Sequence, residues 1–245
     1  MFKSINRNKQ KIEVSDTTTK ILIDDNSRFD IKEAYNELRT NITFLIPKKE
    51  CKTICITSAV ASEGKSTTSV NNAITFAKSG KKVLLIDCDL RKPNVYRILN
   101  IKNDKGLSEV LVSEADIKNV IHKNVYENLD VITSGVIPPN PVELLSSEKM
   151  AQLVAELSQN YDYIFVDAPP IAIVTDAALI SKYVDGVIIV VRQNVAERKM
   201  VIDAVKKLEF VGAKILGFVL NDVVSSKSGY GLYKYKYKYN NNKYN

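Results

Sequence analysis

The chain has 245 residues, 45% of them hydrophobic and 26% charged, ordinary values for a soluble globular protein and enough length for one α/β domain with short extensions. No apolar run approaches the roughly 18 to 20 residues of a membrane-spanning helix, and the opening MFKSINRNKQKIEV lacks an apolar segment for a signal peptide, so a cytoplasmic protein held at the membrane only through a partner is expected. The net charge of +7 would suggest nucleic acid, yet Lys227, Lys234, Lys236, Lys238 and Lys243 stand without any acid in residues 225 to 245; the body is nearly neutral and no nucleic-acid partner is expected.

In chain order, residues 1–29 are a polar, loosely attached arm. Ile31, Ala34, Leu38, Ile42 and Leu45 recur at helical spacing and predict a helix with one apolar stripe. TICIT (53–57) reads as a β-strand, followed by a turn and a helix from Ser66 to Lys78 that Ser79-Gly80 stops. VLLID (83–87) lacks polar alternation, as expected of a strand covered on both faces. GLSEVLV (106–112) predicts a short helix, LDVIT (129–133) a strand, and VIPPNP (136–141) a turn opening a helix at Pro141 or Val142. A helix over 147–158 leads to the strand YIFVD (163–167). A helix over 176–182, the strand GVIIVV (186–191), a helix over 196–210 and the strand ILGFVLN (215–221) follow. Strands alternating with helices predict a doubly wound, mostly parallel sheet over residues 30–222. Ligands bind such sheets beyond the strand carboxyl ends.

Three of those ends carry chemistry. The first strand leads into SAVASEGKSTT, whose GKST (64–67) is the end of a Walker A loop, in which backbone N–H groups, a lysine and a hydroxyl gather phosphates and Mg²⁺. Lys65 would meet the β and γ phosphates, Ser66 the metal, and Thr67 the anion-favouring helix start; Glu63 and Gly64 join them as nucleotide-binding residues. Ala59 stands where the full pattern has its first glycine, and a plain strand-to-helix cap is the alternative. In VLLIDCDLRKP, Asp87 and Asp89 lie on one side of the chain and call for a cation such as Mg²⁺; the alternative is a pair of solvated turn carboxylates. YIFVDAPP places Asp167 at the end of a buried strand, the form of a Walker B acid. Together they predict a P-loop nucleoside triphosphatase fold with deviant Walker motifs that binds ATP and Mg²⁺, the metal held by Ser66, Asp89 and Asp167. Asp87 is the candidate base, although spacing alone does not separate its role from that of Asp89. Arg91 either binds phosphate or pairs with an acid.

Cys51, Cys55 and Cys88 fit neither a disulfide framework nor a zinc spacing, and the single His122, expected at the surface, excludes a His-based metal site. Residues 223–245 hold Tyr230, Tyr233, Tyr235, Tyr237, Tyr239 and Tyr244, half of the twelve tyrosines in the chain. With Leu232 as the only aliphatic residue from 230 onward, this tail is expected to be disordered.

GKST, IDCDLR, GVIPPNPVELLSS and YDYIFVDAPP with a tyrosine tail resemble the bacterial tyrosine kinases of capsule and exopolysaccharide synthesis, most closely the Gram-positive type in which the kinase is a separate cytoplasmic chain. The resemblance implies a protein-tyrosine autokinase with Lys65, Asp87, Asp89 and Asp167 catalytic and the six tail tyrosines as phosphoacceptors, modified in trans. It implies a membrane chain-length regulator as activator, a cognate tyrosine phosphatase, ring-like homo-oligomers and control of polysaccharide synthesis. The family's E-x-x-R-x-x-R contact helix reads EAYNELR here, with Glu33 and Arg39 kept and Asn36 in the middle. Asn221 matches the asparagine that reads adenine in the wider superfamily. Related septum-placing and partitioning ATPases are the competing resemblance, but they carry a lysine where this chain has Val60, and they lack the tail. A nucleic-acid-binding protein using tyrosine and lysine is the other alternative.

Overall fold

A computed structural model describes residues 22–46, 49–113 and 115–223; most of the N-terminal arm and the tail with its six tyrosines lie outside the described residues. Seven strands form one sheet in the order β3-β4-β2-β5-β1-β6-β7. They are β1 (Lys52–Ser58), β2 (Val83–Asp87), β3 (Ile121–Tyr126), β4 (Leu129–Ile132), β5 (Tyr163–Asp167), β6 (Gly186–Arg192) and β7 (Ile215–Asn221). All pairings are parallel except β3 with β4.

Strand alternation divides the core between two faces. Leu84 and Ile86 of β2 and Ile164 and Val166 of β5 join one cluster, while Val83, Leu85, Tyr163 and Phe165 join the other. On the second face lie α1 (Phe29–Leu45), α2 (Lys65–Lys78) and α3 (Val95–Leu99). The first is covered by α4 (Leu107–Leu111), α5 (Pro141–Leu145), α6 (Glu148–Leu157), α7 (Asp176–Ile180) and α8 (Arg198–Phe210). Double coverage explains the unbroken apolar strands. Each buried large side chain contributes about 1.5–3 kcal/mol, and the Phe76 ring of α2 anchors its face by meeting Tyr163 and Phe165 at 4.3 and 5.2 Å between centroids.

Three local expectations are corrected. The strand β3 was not expected: its exposed Lys123 and Asn124 break any apolar alternation, and it pairs with β4 across Glu127-Asn128, with Asn124 and Asn128 at positive φ, which asparagine tolerates. His122 is half-buried on that strand opposite Val131. The stripe predicted on α1 is mostly uncovered, with Ile42 buried while Ile31 and Leu45 are exposed, because α1 packs chiefly on α2 at the margin of the sheet. Before it, Ile23 is buried and donates its N–H to Asn71 Oδ1 at 2.9 Å, which fastens the end of the arm.

Candidate active site

The site forms where β1, β2 and β5 end side by side. Asp87 and Asp167 are register partners on neighbouring strands, and β1 runs directly into the loop preceding α2. Left-handed backbone falls at Ser62 (φ 65°) and Gly64 (φ 89°), whereas Ala59 keeps a negative φ; the absence of the first motif glycine therefore introduces no backbone strain. The positive φ favours glycine at 64, and a Cβ there, 2.1 Å from Asn221 Nδ2, would push that amide off the loop.

The loop is braced by two residues expected to touch nucleotide. Glu63 is fully buried, and its carboxylate accepts from Val60 N at 2.8 Å and Arg192 N at 3.3 Å. Asn221, ending β7, donates through Nδ2 to Glu63 O at 3.0 Å. Neither side chain lines the cavity of about 840 Å³ beside the loop, whose walls include Gly64, Lys65, Ser66, Thr67 and Asp89.

Lys65 Nζ lies 2.8 Å from Asp89 Oδ2 and 3.2 Å from Asp167 Oδ2. Ser66 Oγ donates to Asp167 Oδ2 at 2.6 Å, and Ser69 Oγ to Asp167 Oδ1 at 3.0 Å. Sequence reading missed Ser69; its place one helical turn after Lys65 on the same face of α2 was the available signal. Asp89 Oδ1 accepts from Lys92 N at 3.0 Å and holds the following turn. Asp87 is buried behind the cavity wall: Oδ1 accepts from Asp89 N at 3.1 Å, and Oδ2 from Asn94 N and Val95 N at 3.3 and 3.1 Å. The two acids that spacing placed together thus differ, Asp89 facing the cavity and Asp87 capping α3 from within.

Three enclosed carboxylates share one ammonium. Burial, then the neighbouring Asp167 charge, pushes Asp87 up to about 8. Burial also raises Asp167, against the pull of Lys65 and Ser66. For Lys65, burial opposes the charged form, but Asp167 and Asp89 outweigh it and raise the group overall. The three cysteines are free and buried, and burial raises the Cys55 and Cys88 thiols, leaving them unreactive.

The donor set suits a hard cation. Among the described residues no group of three or more His, Cys, Asp or Glu side chains could hold a metal unaided. Two carboxylates and a hydroxyl match Mg²⁺, which keeps waters and shares substrate phosphates rather than filling an all-protein cage. The Lys65 ammonium between Asp89 and Asp167 marks where positive charge is wanted.

Arg91 is resolved toward ion pairing: its Nε and Nη2 meet Asp176 Oδ2 and Oδ1 at 2.8 and 3.1 Å, and the Asp176 side chain is wholly buried. Removing one partner of a buried pair costs ~3–5 kcal/mol; because Arg91 is 37% exposed, about 2 kcal/mol is expected. Arg91→Ala should therefore lower Tm by roughly 4 to 8 °C in a domain of this size while ADP affinity changes less than threefold. A tenfold loss of ADP affinity in calorimetric titration would instead assign Arg91 to phosphate binding.

Of the expected subunit-contact residues on α1, Glu33 is exposed and accepts from Asn36 Nδ2 at 3.2 Å, and Arg39 is half-exposed. No helix among the described residues is long and apolar enough to cross a membrane.

The family model described as AAA domain matches residues 51–212. The chain is 42% identical to tyrosine-protein kinase YwqD of Bacillus subtilis over 202 residues, covering 82% of this chain and 85% of that one. Its fold superposes on the crystal structure of the chimerical protein CapA2B2 with a TM-score of 0.80 at 37% identity, covering 84% and 91% of the two chains. The septum site-determining protein MinD of Pyrococcus horikoshii, solved with Mg-ADP, is more distant, with a TM-score of 0.62 at 25% identity and 72% of each chain covered.

Proposed function

The chain belongs to the bacterial tyrosine-protein kinases, and we propose that its acceptors are the tyrosines of its own C-terminal tail, presented by one copy of the chain to the site of another. The observation that carries this reading is the enclosed cluster of Lys65, Ser66, Asp89 and Asp167, the first three of which line a cavity with the fully buried Asp167 behind them, in a chain whose residues 230 to 245 hold six tyrosines and no acid.

ATP would lie with its phosphates on the loop amides and the start of α2, where backbone N–H groups and the helix dipole favour anions. Lys65 leaves its carboxylate partners to meet the β and γ phosphates, and Thr67 adds a donor on the first helical turn. Ser66, Asp89 and Asp167 would hold Mg²⁺, which supplies charge neutralisation at the phosphates. The adenine end is assigned to the β7 side, where Asn221 has Oδ1 left after spending Nδ2 on the loop. Transfer forms a bond from the phenolic oxygen to the γ phosphorus and breaks that phosphorus's bond to the β–γ bridging oxygen. The phenolic proton passes to Asp87, our candidate base. Asp87 must be ionised to accept it, and the Mg²⁺ charge that Asp89 and Asp167 would hold beside it favours the ionised form over the protonated one that burial imposes without metal.

Counting from Asn221, the chain to Tyr239 spans at most about 60 Å at ~3.3 Å per residue, enough to reach a neighbouring subunit. Glu33, Arg39 and the uncovered apolar side of α1, with Phe44 84% exposed, are assigned to contacts in a ring-like homo-oligomer. A membrane chain-length regulator is the proposed activator, a cognate phosphatase the proposed counterpart, and polysaccharide synthesis the process controlled. Because each phosphate adds about −1.5 to −2 charges, three or four modified tyrosines outweigh the five tail lysines and reverse the sign of the tail.

The decisive experiment follows label from γ-labelled ATP in the full chain, with and without the activator's cytoplasmic segment. Label should enter the tail and disappear when Tyr230, Tyr233, Tyr235, Tyr237, Tyr239 and Tyr244 are all replaced by Phe. Undiminished label in that variant, or none in the unsubstituted chain with activator present, overturns the reading.

A further inference from the structure

The transfer scheme leaves one wall of the cavity without a task. In the order β4-β2-β5-β1, the phosphate loop follows β1 and both paired acids lie at the end of β2. An acceptor whose proton leaves toward those acids has to approach between the ends of β2 and β4. The chain leaving β4 enters the same cavity there: Gly135, Val136 and Ile137 line it, with Val136 62% and Ile137 58% exposed.

Exposed aliphatic side chains are common and by themselves mean little. The chain that presents them is fastened at Gly135 and Val136 by polar side chains. Glu109, only 9% exposed, accepts from Val136 N at 3.1 Å and Gly106 N at 2.7 Å. Asn103 accepts from Gly135 N and donates to Gly135 O, each at 2.9 Å. At Gly135, φ is +77° and a Cβ would sit 2.0 Å from Glu109 Oε2 and 2.8 Å from Gly106 N, so only glycine lets the backbone lie this close to its anchors. A firm apolar step thus borders a cavity that is otherwise strongly polar on its phosphate side.

We infer that Val136 and Ile137 are an acceptor platform that seats the ring of a tail tyrosine from a second copy of this chain. The inference rests on the tail-kinase reading above. The occupant is argued from the 22 residues after Val223, which carry the six tyrosines. In extended form, the alternation from Tyr233 to Tyr239 turns rings to one side and lysine ammonium groups to the other. Rings laid on the platform direct the lysines away from it. The platform thereby selects phenols, because a serine hydroxyl brings no ring to fill the step.

The test uses full-length chain with its six tail tyrosines changed to Ser as the enzyme and a synthetic peptide of residues 230–245 as acceptor, under conditions in which the unsubstituted chain labels its own tail. Val136→Ser with Ile137→Ser should raise KM for the peptide about tenfold, the loss of roughly one ring's apolar contact, with kcat and KM for ATP kept within twofold. Val136→Leu with Ile137→Leu should preserve the peptide KM, which separates lost apolar surface from a disturbed loop. An unchanged peptide KM in the Ser pair, a fall in kcat alone, or an equal rise in KM for ATP overturns the platform while the tail-kinase reading stands. If the unsubstituted chain labels neither tail nor peptide, the tail-kinase reading fails and the platform falls with it.

Discussion

Lys65→Met should abolish phosphoryl transfer and also make the nucleotide-free chain less stable. The first effect follows from losing the ammonium that meets the transferring phosphate; removal of a charge placed for the transition state costs roughly 10²–10³-fold or more. The second follows from what Lys65 does before nucleotide arrives: it is the only cation within ion-pair reach of Asp89 and Asp167 among the described residues. Methionine fills the volume but leaves two enclosed carboxylates facing each other, and breaking such a buried pair costs ~3–5 kcal/mol, less whatever the acids recover by taking up a proton. A loss of about 3 kcal/mol corresponds to roughly 6 to 12 °C in Tm. Added Mg²⁺ should restore stability more in the variant than in the parent chain, because it replaces the missing charge. Scanning calorimetry with and without millimolar Mg²⁺ checks this, and equal Tm values for both chains in metal-free buffer would contradict the counter-charge role.

Asp87→Asn should lower kcat by roughly 10²–10⁴-fold, the usual contribution of a positioned base, with little change in KM for ATP. A pH signature accompanies it. Folding raises Asp87 from 3.8 to about 8, so the native chain retains a proton that the unfolded chain has released. The stability from this group is complete below about pH 4 and is lost as pH rises through about 8. In metal-free buffer Tm should fall across that window in the parent chain, and the slope should flatten in Asp87→Asn. The variant also turns its amide N–H₂ toward the Asp89 N–H or toward those of Asn94 and Val95, the remaining oxygen serving the other side, costing ~1–3 kcal/mol for an unmade bond; its Tm should therefore be lower at acid pH. A parallel Tm–pH slope in the two chains would show that Asp87 does not hold the proton.

Much of the fold was legible because local pattern and burial agree. Apolar runs such as VLLID and YIFVD announce strands covered on both faces, and GKST after TICIT announces the phosphate loop. The edge strand β3 was not legible, because its polar and positive-φ residues satisfy a hairpin that only β4 makes visible. The helix α1 showed the converse: its spacing is helical, but spacing does not reveal how little of the stripe the fold covers.

The linear chain by itself determined which groups are available: one loop lysine, a hydroxyl beside it, three strand-end acids and a tail of phenols. Tertiary structure alone decided their posts. It turned Glu63 and Asn221 into braces for the loop, paired Arg91 with Asp176, added Ser69, and drew Asp87 behind the wall while leaving Asp89 at the cavity. The physical reason is that each role depends on which buried donors and charges lie within about 3 Å; some come from the adjoining turn, as for Asp87, but the deciding ones are far away in the chain, as Asp167 is from Lys65 and Asp176 from Arg91.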